Sequence, residues 1–188
     1  MGGAVPDPQA LRSAWQAHTD AEFISQDIDA VMATMVPEPA VIHVPTAMGG
    51  IGYQGVRDFY TRLFVGHNPA DFTIDSLSQT VGTEQLVDEM IVSFTHDSAV
   101  PWILPGVPPT GVRVSVPVIA VVGFDATAVR SEHIYWDQAS VLAQVGLLAP
   151  ATVSSLPVLA DQPAVLDGRV TLNELATPAG PRPTPHEP

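Results

Sequence analysis

The strongest constraint on the fold of this chain is a change of hydrophobic period near residue 70. Before that point, apolar residues recur every three to four positions, which predicts amphipathic helices. Between residues 71 and 137 they alternate with polar residues, which predicts half-buried strands joined by turns. Helices followed by a long run of strands predict an α+β domain, with the helices on one face of a strongly curved antiparallel sheet.

The first part of the chain has the signals of three helices. Asp7 and Pro8 form the pattern of an N-cap and a first helical residue, and the helix is predicted to run to about residue 24. Four residues at helical spacing share its inward face: Leu11, Trp15, His18 and Glu22. Ser25 is predicted to cap a second helix that ends before Pro37. A third helix is predicted after the glycine-rich segment 48–55.

The alternating part predicts a meander of strands and one closing helix. The predicted strands cover residues 40–45, 72–81, 85–96, 112–124 and 128–137. Segment 101–111 is rich in proline and glycine, which favours a turn. Asp137 is placed to cap a helix over 138–148.

The 188 residues favour one domain, predicted over 8–150. Residues 151–175 are apolar enough to pack and are expected at a dimer interface, whereas 176–188 are proline-rich and predicted to be a mobile tail. No run approaches the roughly 20 apolar residues of a membrane span. The N-terminus has no basic start followed by an apolar stretch, so a cytoplasmic location without a secretion signal is expected.

The missing residue types exclude several chemistries. Cysteine and lysine are absent, which excludes disulfides, thiolate ligands, cysteine nucleophiles and Schiff bases. The net charge of −13 disfavours binding to nucleic acid and to anionic membranes. Neither a histidine pair at metal-binding spacing nor a glycine-rich phosphate loop is found, so no metal and no cofactor are predicted.

Four segments carry a resemblance to a known family: EHIYWDQASVLAQVGLL (132–148), VIHVPT (41–46), VDEMIVSFTH (87–96) and WILPGVPPTG (102–111). They resemble SnoaL-like proteins, relatives of polyketide cyclases in the nuclear transport factor 2 superfamily, and in particular the modules found beside dienelactone hydrolases. The resemblance implies a cone-shaped fold with one interior pocket. It also implies a homodimer formed through the outer sheet face, where Ile91, Ile119, Val121 and Trp136 are expected.

The sequence excludes dienelactone hydrolysis by the mechanism that those hydrolases use. That mechanism requires a nucleophile elbow of the form G-x-C-x-G or G-x-S-x-G, and this chain has neither.

Asp137 is the main catalytic candidate, because it matches the position of the acid–base aspartate in SnoaL-like cyclases. A partly desolvated carboxylate there would have a raised pKa and act as a base. The alternative is that Asp137 only caps the closing helix. His133 and Tyr135 share its strand face. His133 is a candidate proton relay or a structural histidine, and Tyr135 is expected to line the pocket.

Asp88 and His96 are further candidates because they occupy an otherwise apolar strand face. A buried carboxylate needs a partner, and a histidine, Arg113 or Arg130 is expected to supply it. The pair could be catalytic or purely structural. A shift of the strand by one residue would place Glu89 inside instead.

The remaining pocket-lining candidates come from the helices, the first strand and the turn segment. They are Trp15, His18, His43, Tyr60 and Trp102. Each histidine could equally be a hydrogen-bonded core residue.

Two functions follow from these features. One is cofactor-independent acid–base catalysis of the isomerase, cyclase or dehydratase type on a small apolar carbonyl compound, with Asp137 as base. The other is a non-catalytic module that binds a small apolar or aromatic molecule or assembles as a dimer. The groups that converge in the pocket are expected to distinguish them.

Overall fold

A computed structural model describes residues 7–149, 158–167 and 169–170. The predicted tail 176–188 and most of segment 151–175 lie outside these residues. Within the part described, the chain forms one six-stranded sheet against which the first helix packs. No helix among these residues has the length and apolar character to cross a lipid bilayer.

The first helix, α1 (Pro8–Asp20), begins as predicted, with the Asp7 side chain accepting a hydrogen bond from the backbone of Gln9. It continues into a π-helical turn, Ala21–Ser25. The second helix, α2 (Ile28–Ala33), is capped by Asp27 and not by Ser25. The reason is local, because Gln26 adopts a left-handed conformation with φ of 50° that separates the two helices.

The third helix, α3 (Gly52–Phe59), also ends in a π-helical turn, Tyr60–Phe64. Among the described residues, two short helices follow the sheet: α4 (Gln138–Gln144) and α5 (Pro163–Leu166). The strands are β1 (Met35–His43), β2 (Met48–Ile51), β3 (Thr73–Val81), β4 (Gln85–Thr95), β5 (Arg113–Asp125) and β6 (Ala128–Trp136).

The strand order is β2-β1-β6-β5-β4-β3, in a curved and unclosed sheet. The predicted α+β class is therefore confirmed. One pair departs from the antiparallel prediction, since β1 runs parallel to β6. The reason is the chain order: β1 comes before the meander in the sequence, but it pairs with β6, which is the last strand of the meander. This pairing places Val41 opposite Glu132 and His43 opposite Ile134.

The prolines and glycines near β1 have different effects from those predicted. Pro37 and Pro39 lie inside β1, where its pairing with β6 shifts register between Met35 and Ala40, so no ladder hydrogen bond is lost there. Segment 48–55, predicted to precede the third helix as a glycine-rich segment, is instead strand β2 followed directly by the first residues of α3. Gly49 is required in β2, because a Cβ atom at this position would lie 1.9 Å from the Val41 carbonyl oxygen.

The inward face of the sheet agrees with the predicted alternation in β4 and β5, where Asp88 and the even-numbered valines of β5 are buried. In β6 the predicted face is wrong. Glu132, Ile134 and Trp136 face the helices, whereas Tyr135 is 43% exposed on the other side. A one-residue difference in register exchanges the two faces of a strand. Trp136 therefore belongs to the core and not to the outer patch.

The described part of segment 151–175 packs on its own chain. The Ser140 hydroxyl of α4 donates a hydrogen bond to the Ala160 carbonyl at 2.8 Å, and Ala164 of α5 is buried. A contact of this segment across a dimer interface stays a prediction.

Candidate functional site

A cavity of about 310 Å³ lies between α1 and the inward face of the sheet. Its walls combine aromatic side chains with carboxylates. The aromatic residues are Trp15, Phe23, Phe64, Phe72 and Trp102, and the acidic residues are Asp20, Glu22, Asp88 and Glu132. Such a mainly apolar cavity with a few convergent polar groups is typical of small-molecule sites.

Both π-helical turns contribute to this region. The first carries Glu22 and Phe23, and the second carries Tyr60 and Phe64. Single π turns inside helices are rare and occur frequently at functional sites. Their position is therefore an independent indication that this end of the helices is functional.

The chemical centre of the cavity is a group of three buried side chains, His18, Glu22 and Glu132, called here the buried triad. Nε2 of His18 lies 3.3 Å from Oε1 of Glu22 and 3.0 Å from Oε1 of Glu132. Tyr60 donates a hydrogen bond to the same Glu132 oxygen at 3.1 Å. Both glutamates border the cavity, whereas His18 and Tyr60 are not part of its wall.

The hydrogen bonds define the protonation of His18. The Thr34 hydroxyl donates to the Val31 carbonyl at 2.6 Å, so it accepts from Nδ1 of His18, also at 2.6 Å. Burial disfavours the charged ring, but the carboxylates of Glu132 and Glu22 outweigh this effect and raise the pKa of His18 to about 10. His18 is therefore an imidazolium at neutral pH, and Nε2 donates to the carboxylates.

Glu22 is the member of the triad that can exchange a proton with a ligand. Burial raises the pKa of Glu22 above its ordinary value, and the positive charge of His18 limits the rise. Burial also holds the pKa of Tyr60 well above its ordinary value, so Tyr60 stays a neutral donor. A carboxyl group with a raised pKa at a cavity wall can act as a general acid or a general base near neutral pH.

The triad is also a group with donor atoms of metal-ligating type, which lie within 4.8 Å of one another. Nε2 of His18 can bind a cation only after it has lost its proton. Because the pKa of His18 is raised to about 10, a proton competes strongly with any metal at neutral pH.

Asp88 is 4% exposed and borders the cavity, as its strand position predicts, but its partners differ from those predicted. It accepts hydrogen bonds from Trp15 Nε1 at 2.9 Å, Gln79 Nε2 at 2.9 Å and the Ser76 hydroxyl at 2.6 Å. Arg113 instead pairs with Asp71 at the exposed end of β5.

The two other residues proposed around Asp88 lie on the outside of the sheet. Arg130 is exposed, and Glu89 accepts a hydrogen bond from Ser78 on the face opposite Asp88. The inward position of Asp88 on β4 is therefore the predicted one.

His43 borders the cavity as predicted and is 3% exposed. Four aromatic rings surround it at centroid distances of 5.1 to 5.9 Å: Phe59, Phe64, Trp102 and Trp136. Burial lowers the pKa of His43 to about 4, so the ring is neutral at pH 7. Its Nδ1 atom has no hydrogen-bond partner among the residues that the structure describes, and such an unpaired buried group can be satisfied by a ligand.

His96 lies outside the cavity wall, in contrast to its predicted position. It is fully buried, its Nδ1 atom is 3.1 Å from the Thr110 hydroxyl, and its carbonyl accepts from the backbone of Thr110 and Gly111. These contacts fix the end of the turn segment 101–111, so the role of His96 is structural.

The expectation that Asp137 faces the interior is wrong. Asp137 is exposed and caps α4, accepting from the backbone of Ala139 at 2.8 Å and of Ser140 at 3.3 Å. It also accepts from the side chain of Gln162. Since β6 presents its other face, neither His133 nor Tyr135 reaches the cavity wall.

Glu22 and Glu132 are the functional candidates that the sequence reasoning missed. Glu22 follows His18 by four residues on the predicted inward face of α1, so its position was visible. Glu132 required the other face of β6. Trp15 and Trp102 lie in the cavity wall as expected. The expectation that His18 and Tyr60 line the pocket is wrong, because both are buried behind the wall, where they contact Glu132.

Comparison with known proteins identifies the fold. No protein-family model and no curated protein matches the chain. A putative SnoaL-like polyketide cyclase from Jannaschia sp. CCS1 has a TM-score of 0.60 and 20% identity, covering 80% of this chain and 98% of that chain.

Two further solved structures contain small molecules. TerC, co-crystallized with polyporic acid, has a TM-score of 0.54 and 11% identity, covering 72% of this chain and 98% of that chain. A hypothetical protein with a ketosteroid isomerase-like fold from Catenulispora acidiphila DSM 44928, in complex with trimethylamine, has a TM-score of 0.53 and 14% identity, covering 71% and 92%. The chain thus has the nuclear transport factor 2-like fold of SnoaL-like polyketide cyclases.

Proposed function

We propose that this protein is an enzyme that performs cofactor-independent acid–base chemistry on a small, mostly apolar carbonyl compound, of the isomerase, cyclase or dehydratase type. The observation that carries the proposal is the buried triad, in which Glu22 and Glu132 border the cavity and share the charged His18. The same cavity wall contains Glu22, whose pKa is raised, and His43, whose pKa is lowered, and perturbed titratable groups in one cavity are typical of catalytic sites.

In the proposed reaction, ionised Glu22 removes a proton from the carbon next to the carbonyl. The electron pair of the broken C–H bond moves into an enolate, whose negative charge lies mainly on oxygen. Glu22 then returns the same proton to a second carbon, which completes an isomerisation without a redox step. For a dehydration, the proton goes instead to the departing hydroxyl, which leaves as water.

Two histidines support this step in different ways. His18 stays charged behind the glutamates and opposes the effect of burial, which favours the ionised form of Glu22 that acts as the base. His43 stays neutral. In the proposed reaction its unpartnered Nδ1 carries the ring proton and donates to the carbonyl oxygen as negative charge develops. A neutral donor of this kind stabilises the oxyanion without transferring a full proton.

The size and lining of the cavity support a small organic ligand. Aromatic and aliphatic side chains together form the apolar wall, and about 310 Å³ accommodates a molecule of one or two rings. The polyporic acid bound by TerC and the trimethylamine bound by the ketosteroid isomerase-like protein are both small organic molecules, which agrees with this ligand class.

Ligand binding without turnover is the second candidate. It is favoured by Asp88, whose oxygens are occupied by three neutral donors, and by the extent of the aromatic wall. In that case Glu22 would only orient a ligand and would not exchange its proton with a carbon atom.

Hydrogen–deuterium exchange at carbon separates the two candidates. The purified full chain is incubated in D2O with small cyclic ketones and with cyclohex-3-enone, and NMR follows deuterium next to the carbonyl and the appearance of the conjugated isomer. We expect catalysed exchange that Glu22→Gln reduces by about 10²- to 10⁴-fold. Asp137→Asn is the matched control and keeps the wild-type rate. Undiminished exchange in Glu22→Gln contradicts the proposal, and no exchange with any probe favours binding alone.

A further inference from the structure

Asp88 is a buried carboxylate that has no cationic partner within the described part of the chain. The three groups that bond it, Trp15 Nε1, Gln79 Nε2 and the Ser76 hydroxyl, are all neutral donors. Three donors and no acceptor are the pattern of an ionised carboxylate, which can accept about four hydrogen bonds. Arg12 binds Gln79 and not Asp88, and no ion pair with Asp88 occurs among residues 7–149.

The cavity wall as a whole has an excess of negative charge. Asp20, Glu22, Asp88 and Glu132 border it, and no arginine of the described residues does. His18 supplies one positive charge, but both of its carboxylate contacts are at the Glu22 and Glu132 end. Buried charges are stable when they are paired, so the Asp88 end is the part of the wall that a positive group complements.

One aromatic residue of the cavity wall accompanies Asp88. The indole N–H of Trp15 bonds its carboxylate, whereas Phe72 lies beyond the other end of β3, because it precedes Thr73, which pairs with Ser93. A carboxylate together with an aromatic side chain is the chemistry that recognises ammonium groups, through charge and through cation–π attraction.

The sheet register places Asp88 and His43 at opposite ends of one row. Asp88 pairs with Ala120, Ala120 pairs with Ile134, and Ile134 pairs with His43. All four border the cavity. Three strand spacings separate the ends, which is about 14 Å between the backbones, and the two side chains shorten this span. At the far end, His43 is buried with its Nδ1 atom unpartnered.

We infer that the ligand of this cavity carries a positively charged ammonium group bound at the Asp88 end, while its carbonyl lies at the His43 and Glu22 end. The inference rests on the proposed function for the position of the carbonyl. The inference that the ligand is positively charged does not depend on the proposed function, because it rests on Asp88 and on the composition of the cavity wall. The substrate class is therefore a small apolar amine that also contains a carbonyl group.

Three probes of matched shape test the charge. Acetylcholine carries an ammonium group, 3,3-dimethylbutyl acetate is its neutral isostere, and 4-acetoxybutanoate carries a carboxylate at the same end. Binding to the wild-type full chain is measured by calorimetry at constant ionic strength. We expect acetylcholine to bind at least about tenfold more tightly than the neutral ester, with the anion weakest. Equal or tighter binding of the neutral ester or the anion overturns the inference, and so does the absence of binding by all three.

Two variants and one spectrum locate the charged end. Asp88→Asn is expected to reduce the preference for the cation to within about threefold, whereas Glu89→Gln removes the same charge from the outer face of β4 and leaves it unchanged. If Asp88→Asn does not fold, NMR chemical shifts of the indole N–H groups of the wild-type protein provide the test. The shifts are compared between the complex with acetylcholine and the complex with its neutral isostere. We expect a difference at Trp15 and none at Trp136, which lies outside the cavity wall. The reverse pattern contradicts the placement.

These measurements do not use turnover, so their failure is distinct from that of the proposed function. Carbon exchange without a preference for the cation refutes only the charge of the ligand. A preference for the cation without carbon exchange refutes only the catalysis.

Discussion

Nε2 of His18 lies 3.0 Å from Oε1 of Glu132, and both side chains are buried. This ion pair joins α1 to β6, two elements more than 100 residues apart in the chain. A buried pair of this kind is costly to break, because the remaining charge stays desolvated. The contact therefore couples the fold to the proposed chemistry.

Glu132→Gln is expected to lower the free energy of unfolding by about 3 kcal/mol, because His18 loses one of its two carboxylates. Urea unfolding at pH 7 measures the change. Glu89→Gln, on the outer face of β4, is the matched control and should change stability by less than about 0.5 kcal/mol. Equal stability of the two variants would show that the pair contributes nothing to the fold.

His43 is expected to make the fold sensitive to acid. Its folded pKa of about 4 lies below the ordinary value of 6.5, so its contribution to stability is present above pH 6.5 and is lost as the pH falls toward 4. The loss is about 3 kcal/mol at roughly 1.4 kcal/mol per pH unit. The comparison is between wild type and His43→Phe in urea at pH 7 and at pH 4. A constant difference between them across this range would refute the shifted pKa.

Asp137 is expected to be a helix cap without effect on chemistry. Asp137→Asn should keep wild-type stability, because asparagine also caps helices, and Asp137→Ala should lose about 1 kcal/mol. Thermal unfolding of both variants measures the difference. Loss of carbon exchange in folded Asp137→Asn would return this residue to the catalytic site.

The outer face of the sheet is expected to form a homodimer. Ile91, Ile119 and Val121 are half-buried on that face, and Tyr135 is exposed beside them. An apolar patch on a small domain typically marks an interface. Light scattering at micromolar concentration should give the mass of a dimer, and Val121→Glu should shift it toward a monomer. A monomeric mass for the wild type would contradict this prediction.

Much of the fold could be predicted from local patterns, because each strand of the meander pairs with its neighbour in sequence. The alternation of β5 fixes its inward valines, and the spacing of α1 places Trp15, His18 and Glu22 on one face. The parallel pairing of β1 with β6 could not be predicted, since it depends on a contact across about 90 residues.

The site was only half predictable for the same physical reason. The two faces of β6 both mix polar and apolar residues, with Glu132 and Trp136 on one and His133 and Tyr135 on the other. Alternation therefore predicts the strand without selecting its inward face. The choice depends on α1, whose charged His18 meets Glu132 only in the folded chain.

The central claim is that Glu22, and not Asp137, is the acid–base group of this fold. The most direct test is a carbon-13 NMR titration of the Glu22 side-chain carboxyl in the wild-type protein. The account predicts a midpoint clearly above the ordinary value of 4.5, with carbon exchange increasing as the pH rises through it, because the ionised form is the base. A midpoint at or below 4.5 would contradict it, because Glu22 would then be a permanently charged structural partner of His18.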